Sequence, residues 1–191
     1  MLDILEQALN MSPAAEQRDD IWARLCCEQA LLAASENNYG VGAVLVNQRN
    51  ELICDARNQV FQQSYQSQRH AEMELLNRLE TEFAHLNRRE LTLYVSLEPC
   101  LMCTGRILLS GIGRVRYLVA DSAGGFASHL QGIFQQPLPP AWQNLASAVV
   151  IEPAKVQDFW RDFAYDCIAQ SATQMRGQVV KAWKGTEKGS R

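Results

Sequence analysis

The sequence predicts an α/β fold in which helices cover a sheet. Short apolar runs bounded by turn residues recur between residues 41 and 151, and stretches with apolar side chains at helical spacing alternate with them. No internal repeat or low-complexity tract interrupts the alternation, which excludes a repeat array.

The elements follow in order. Residues 18–34 place Ile21, Leu25, Ala30 and Leu32 at near-helical spacing, and the turn Asn37-Asn38-Tyr39-Gly40 ends that helix. VGAVLV is a buried strand; Asn47-Gln48-Arg49-Asn50 turns the chain into ELICDA, so residues 41–56 form a hairpin. A polar loop at 59–68 precedes a helix carrying Ala71, Leu75, Leu76 and Leu79. LTLYVSL is a strand, CLMCTGRILL a helix ended at Ser110-Gly111, and VRYLVA a further strand, with right-handed crossovers expected between parallel strands. QQPLPPAW, 135–142, reads as an irregular surface segment, and ASAVVI, 146–151, as a fifth strand. Beyond Pro153, the residues Val156, Phe159, Trp160, Phe163, Tyr165 and Ile168 predict a helix with an aromatic face, of the kind that fills a core or a subunit contact. The stretch from Arg176 holds Arg176, Lys181, Lys184, Lys188 and Arg191 against Glu187 alone, a solvated end able to touch phosphate. The expected organisation is therefore a main domain over 1–153 and a C-terminal helix with a basic tail, 154–191, packed on it.

Composition narrows the function. The 191 residues are long enough for one sizeable core, and 47% hydrophobic with 20% charged content is ordinary for a globular chain. A net charge of -3 supplies no global pull toward nucleic acid or membrane. MLDILEQALN has no basic region before its apolar residues and so does not resemble a secretory signal, and no apolar run is long enough to span a bilayer. The expected location is the cytoplasm, where thiols stay reduced. Of six cysteines, Cys26, Cys27, Cys54 and Cys167 sit in apolar segments as small buried hydrophobes.

The other two, Cys100 and Cys103 in SLEPCLMCTGR, admit three readings: a redox pair, half of a structural zinc site, or half of a catalytic metal site. Upstream, RHAEMELL puts His70 and Glu72 at the start of a helix. Together the motifs place one His and two Cys at the N-terminal ends of two helices that adjacent parallel strands would bring side by side. An imidazole and two thiolates leave the fourth tetrahedral position of zinc open, as in catalytic sites. A structural site needs a fourth ligand, and neither His85 nor His129 has ligand-like spacing. Helix starts also favour thiolates. Zinc brings the pKa of water toward neutrality, and a carboxylate two residues from the His can take up and deliver the proton, a role that Glu72 is placed to fill. H-x-E followed by P-C-x-x-C is a known signature of zinc nucleobase deaminases.

On these motifs the chain resembles the cytidine and deoxycytidylate deaminase superfamily over roughly residues 20–125, from VGAVLV through Asn58 in ARNQV, His70-Ala71-Glu72 and LYVSLEPCLMC to GIGRVRY. The resemblance implies a three-layer α/β/α sandwich around a five-stranded mixed sheet, one zinc per chain and a homodimer. It implies His70, Cys100 and Cys103 as zinc ligands and Glu72 as proton shuttle. It also implies Asn58 and the Ala71 amide as contacts to the base, and Val41 as pocket lining. Glu98 receives no catalytic role.

The implied reaction is hydrolytic deamination of a purine or pyrimidine base, free or within tRNA. EPCLMC with RHAEM resembles most the tRNA adenosine deaminases that make inosine at the wobble position. The chain departs from them in QQSYQSQR, which lacks an Asp-Pro turn, and in Tyr39-Gly40, which replaces Val-Pro. A deaminase of a free base or nucleoside (guanine, cytosine or an aminopurine) is the alternative; a lid built on Trp160 or Phe163 would favour it, and basic residues at the pocket mouth would favour RNA. A catalytically silent partner subunit is a further alternative, although such subunits typically lose the Glu present here at position 72. A thiol oxidoreductase leaves His70 and Glu72 without a role.

Overall fold

The computed structural model describes residues 2–127, 130 and 138–184. Five strands, β1 (Gly42–Val46), β2 (Leu52–Arg57), β3 (Thr92–Leu97), β4 (Arg114–Val119) and β5 (Val150–Pro153), form one sheet in the order β2-β1-β3-β4-β5. β1 is antiparallel to both β2 and β3, whereas β3, β4 and β5 run parallel, so the sheet is mixed. Among the described residues six α-helices accompany it: α1 (Leu2–Asn10), α2 (Asp20–Ser35), α3 (Ala71–Thr81), α4 (Leu101–Ser110), α5 (Pro140–Ser147) and α6 (Asp158–Lys184).

Side-chain alternation splits the sheet between two cores. Val44 and Val46 of β1 face α1, α2 and the first turns of α6, through Leu5, Trp22, Cys26, Trp160 and Phe163. Ala43 and Leu45 face the opposite side, with Leu75, Leu76, Leu79 and Ile107 of α3 and α4. The sheet is therefore covered on both faces, and every residue of β1 is buried. Trp160 and Phe163 belong to the α2 core, as the aromatic face predicted, and do not form the lid that would have favoured a free base.

Four local expectations shift. Pro140 begins α5 instead of prolonging an irregular segment, since a helix tolerates proline at its first position. That helix takes up Ala146 and Ser147, so β5 starts only at Val150. The basic segment from Arg176 to Lys184 is the end of α6 and no free tail; Lys188, Arg191 and His129 lie outside the described residues. The fourth shift concerns the strands that lead to the two motif helices. β2 and β3 point the same way but are not neighbours, because β1 lies between them.

α2 is anchored by a buried ionic cluster. Asp19, fully buried, accepts hydrogen bonds from Tyr94 Oη at 2.9 Å, Arg116 Nη1 at 3.0 Å and the Lys155 amide at 2.9 Å. Burial alone would raise its carboxyl; the hydrogen bonds from Arg18, Lys155 and Tyr94 and the charge of Arg116 outweigh it and hold the group below the usual 3.8. Asp20, bonded to Gln157, Gln17 and Glu16, is held below that value in the same way. A depressed folded-state value contributes stability above pH 3.8 that is lost as pH falls through the folded values. Replacing Asp19 with Asn leaves the 5% exposed Arg116 with the Tyr94 hydroxyl and Glu152 as its one remaining carboxylate partner. A loss of about 3 kcal/mol in urea unfolding at neutral pH is expected; a loss under about 1 kcal/mol would mean the cluster is energetically idle.

Candidate active site

The carboxyl ends of β2, β3 and β4 and the start of β1 meet at one edge of the sheet, the usual place for a ligand crevice in α/β folds. Residues just beyond those ends line a pocket of about 590 Å³: Val41 before β1, Asn58 after β2, Glu98 after β3 and Asp121 after β4. β1 holds this edge together, since the Asn58 amide donates to the Val41 carbonyl at 2.9 Å.

Two helices start at the same edge. His70 is the N-cap of α3 and Cys100 the N-cap of α4, both with extended backbone, and neither side chain bonds its helix's amides. Both are thereby free to point into the pocket. Cys103 lies one turn into α4, fully buried. The ligand atoms of His70, Cys100 and Cys103 all lie within 4.8 Å of one another, and no fourth ligand joins the group among the described residues. His85 is exposed and stands outside it.

The spacing fits zinc. A tetrahedral ion with Zn–S of about 2.3 Å and Zn–N of about 2.0 Å sets an N···S ligand pair about 3.6 Å apart. His70 Nδ1 is 3.7 Å from Cys100 Sγ and 3.6 Å from Cys103 Sγ. Without metal, the neighbouring Cys103 thiol holds Cys100 low, at about 4, against the effect of burial, with His70 adding to it. Cys103, donating to Cys100 and buried, is pushed up. Burial lowers His70, but its bond to Cys100 and the charge of Glu72 bring it above its ordinary value. Glu72, 3% exposed, lines the pocket beside the ligands, and burial raises its carboxyl despite the opposing charge of His70.

Of the other expected contacts, Val41 and Asn58 line the pocket, and Ala71 is the fully buried first residue of α3, where an amide has no intrahelical partner. Asn58 is 2% exposed and combines a turn with the pocket wall. Its Oδ1 accepts the Val60 amide at 3.1 Å, which fixes the orientation of the side chain; its Nδ2 donors have no protein partner among the described residues.

Sequence reasoning missed a second wall. Tyr39 and Tyr65 line the pocket and are joined through Phe61, with ring centroids 6.3 and 5.6 Å apart. Facing inward from α6 are Ile168, Ala172, Arg176 and Val179. Gly40 explains how α6 reaches this edge. A Cβ there would overlap the Cys167 carbonyl, and the Gly40 amide donates to Ser171 Oγ at 2.9 Å. Tyr39-Gly40 is thus the seat of the C-terminal helix. The apolar spacing in α6 was visible in the sequence, but nothing local told which of its faces meets the pocket.

A His-Cys-Cys triad of ligand spacing with an open side, a buried carboxylate next to it and a base-sized pocket on a mixed sheet define the zinc-dependent deaminases of nucleobases. Known proteins agree. Residues 16–119 match the cytidine and deoxycytidylate deaminase zinc-binding region, and the chain belongs to that family. A tRNA-specific adenosine deaminase of Bacillus subtilis is 30% identical over 119 residues, covering 62% of this chain and 73% of that protein. One from Rickettsia bellii is 32% identical over 102 residues, covering 53% and 70%. A solved structure from work on A-to-I editing by tRNA:A34 deaminases superposes with a TM-score of 0.59 at 25% identity, over 75% of this chain and 95% of that one. The guanine deaminase of Nitrosomonas europaea shares the fold, with a TM-score of 0.58 at 17% identity over 85% and 91%. Among the described residues no helix is long and apolar enough to cross a membrane.

Proposed function

We propose that this deaminase converts adenosine to inosine at the wobble position of tRNA, in the cytoplasm and as a homodimer. One observation carries the reading: over 119 and 102 residues the chain shares about a third of its residues with tRNA-specific adenosine deaminases. The exposed Leu101 and Leu109 on α4, next to the site, support a subunit contact there.

In this reading His70, Cys100 and Cys103 hold the zinc, which when bound supplies Lewis-acid activation of the nucleophilic water. The residues of the chain do the rest. Val41 and the Tyr39 and Tyr65 rings confine the base. Asn58 keeps both Nδ2 donors clear of protein partners among the described residues while its Oδ1 accepts from Val60, so it is placed to donate to a ring nitrogen or a carbonyl oxygen of the base. The Ala71 amide offers a second donor at the start of α3. Glu72 receives one proton of the water on its carboxylate and passes it to the ring nitrogen; it then takes the hydroxyl proton of the tetrahedral adduct and delivers it to the amine, so that the C–N bond breaks, ammonia leaves and the ring carbon becomes a carbonyl. Holding the base against the water before reaction removes much of the entropic part of the barrier.

The free-base alternative rests on a specific feature. Ile168, Ala172 and Val179 of α6 give the pocket an apolar wall beyond residues 16–119, the stretch that matches the family. The two are separated by ammonia release from zinc-loaded protein presented with guanine, cytosine, adenine, their nucleosides and an anticodon stem-loop containing wobble adenosine. Release from the stem-loop, with free bases inert, is expected. Release from a free base alone would replace the proposal with the alternative.

A further inference from the structure

The pocket wall contributed by α6 does not stop at the pocket. Ile168, Ala172, Arg176 and Val179 recur at spacings of three and four, which places them on one stripe of the helix. The next position on that stripe is Trp183, 72% exposed, about two turns and about 10 Å beyond Arg176. A large indole in water on the continuation of a pocket wall offers a face on which a ring can stack. Charge points the same way. From Cys167 to Lys184 the helix carries Arg176, Lys181 and Lys184 and no carboxylate, in a chain whose net charge is -3. None of the three cations makes an ion pair among the described residues. Most other arginines of the chain are paired with carboxylates: Arg57 with Glu36, Arg69 with Glu74, Arg106 with Glu80. Arg176 also stands near enough to the Tyr39 hydroxyl for its charge to oppose the effect of burial there, which puts it at the mouth between both walls.

We propose that Arg176 and Trp183 form a subsite for the nucleotide that flanks the target: Arg176 pairs with a phosphate at the pocket rim, and Trp183 stacks on the neighbouring base. The substrate class is thus a single-stranded stretch of nucleic acid, not a free base, and α6 is a strand-positioning element lying outside the segment, 16–119, that matches the family. The inference rests on the reading that the pocket takes a base within RNA. A free base has no phosphate for Arg176 and no second ring for Trp183. An anionic membrane surface is the competing occupant of a basic helix end with a tryptophan, but it gives no reason for the stripe to begin inside a base-sized pocket.

The test is binding without turnover. Zinc-loaded Glu72→Gln protein is titrated into a fluorescein-labelled anticodon stem-loop and followed by anisotropy, alone and with Trp183→Ala, Trp183→Phe or Arg176→Ala added. Removing the indole is expected to raise Kd about tenfold, with Phe restoring most of the affinity. Arg176→Ala is expected to weaken binding and to reduce the slope of log K against log salt by about 0.7, one phosphate contact on a single strand. Kd values unchanged within twofold in both alanine variants would overturn the subsite. So would RNA binding that ignores Trp183 while affinity for phosphatidylserine vesicles depends on it. Ammonia release by the wild-type protein is scored separately. Trp183-dependent binding without any release from the stem-loop leaves the subsite standing and removes the wobble-adenosine reading; release with unchanged Kd values does the reverse.

Discussion

Glu72→Gln is expected to leave a folded protein with one zinc per chain that releases ammonia roughly 10³-fold more slowly than wild type, the middle of the range for loss of a positioned acid–base group. The choice of Gln matters. Glu72 is 3% exposed, so an alanine there would open a cavity and confound the result, whereas the amide keeps the volume and removes only the ability to carry a proton. Zinc retention follows because the ligand atoms belong to His70, Cys100 and Cys103, and the closest sulfur–imidazole distances of 3.6 and 3.7 Å do not involve the carboxylate. Metal content by inductively coupled plasma spectrometry and single-turnover rates on the stem-loop make the measurement. A rate within tenfold of wild type would place the proton transfer elsewhere. Loss of zinc together with activity would make Glu72 a support of the metal site instead of the proton carrier.

The sequence carries its site more openly than its fold's outer parts, and the reason is physical. His70, Glu72, Cys100 and Cys103 are legible because each ligand occupies a helix start, and helix starts are written locally in turn residues and apolar spacing. The strands β1 to β4 are legible for the same reason: their apolar runs are short and bounded by turns. What is not local was lost. The insertion of β1 between β2 and β3 depends on pairing over distance, and the spacing of apolar residues says nothing of sheet order. Pro140 looks like a breaker until its place at the first position of α5 is known. Tyr65, one aromatic in a run of glutamines and serines, was readable as an oddity but not as a pocket wall. The C-terminal helix is the clearest case. Its aromatic residues announced a buried face, and Trp160 and Phe163 fill the α2 core as such residues do; the face that matters for the pocket is the duller stripe of Ile168, Ala172 and Val179, which Gly40 admits to the sheet edge by having no side chain.

Cys103→Ala is expected to remove both zinc and activity while sparing the fold. Among the described residues the site offers three ligands and no substitute, so losing one thiolate leaves an imidazole and a single thiol. The loss reaches further than one bond. In the metal-free site the neighbouring Cys103 thiol is also the first cause that holds Cys100 low, at about 4, and the variant loses that support. Less than about a tenth of an equivalent of zinc after dialysis is the expected content, given that even outer-shell changes cost 10- to 100-fold in metal affinity. The fold survives because the two cores on either side of the sheet are built by other side chains, and replacing a buried thiol by a methyl removes little volume. Stability should nevertheless fall in one diagnostic way. Zinc that binds only the folded state raises the melting temperature of the wild type as its concentration rises, and this dependence should vanish in the variant. Circular dichroism unchanged from wild type, with a melting temperature indifferent to added zinc, would meet the expectation. A variant that keeps a full equivalent of zinc and its activity would show that Cys103 is a core residue and that the metal is held by other ligands.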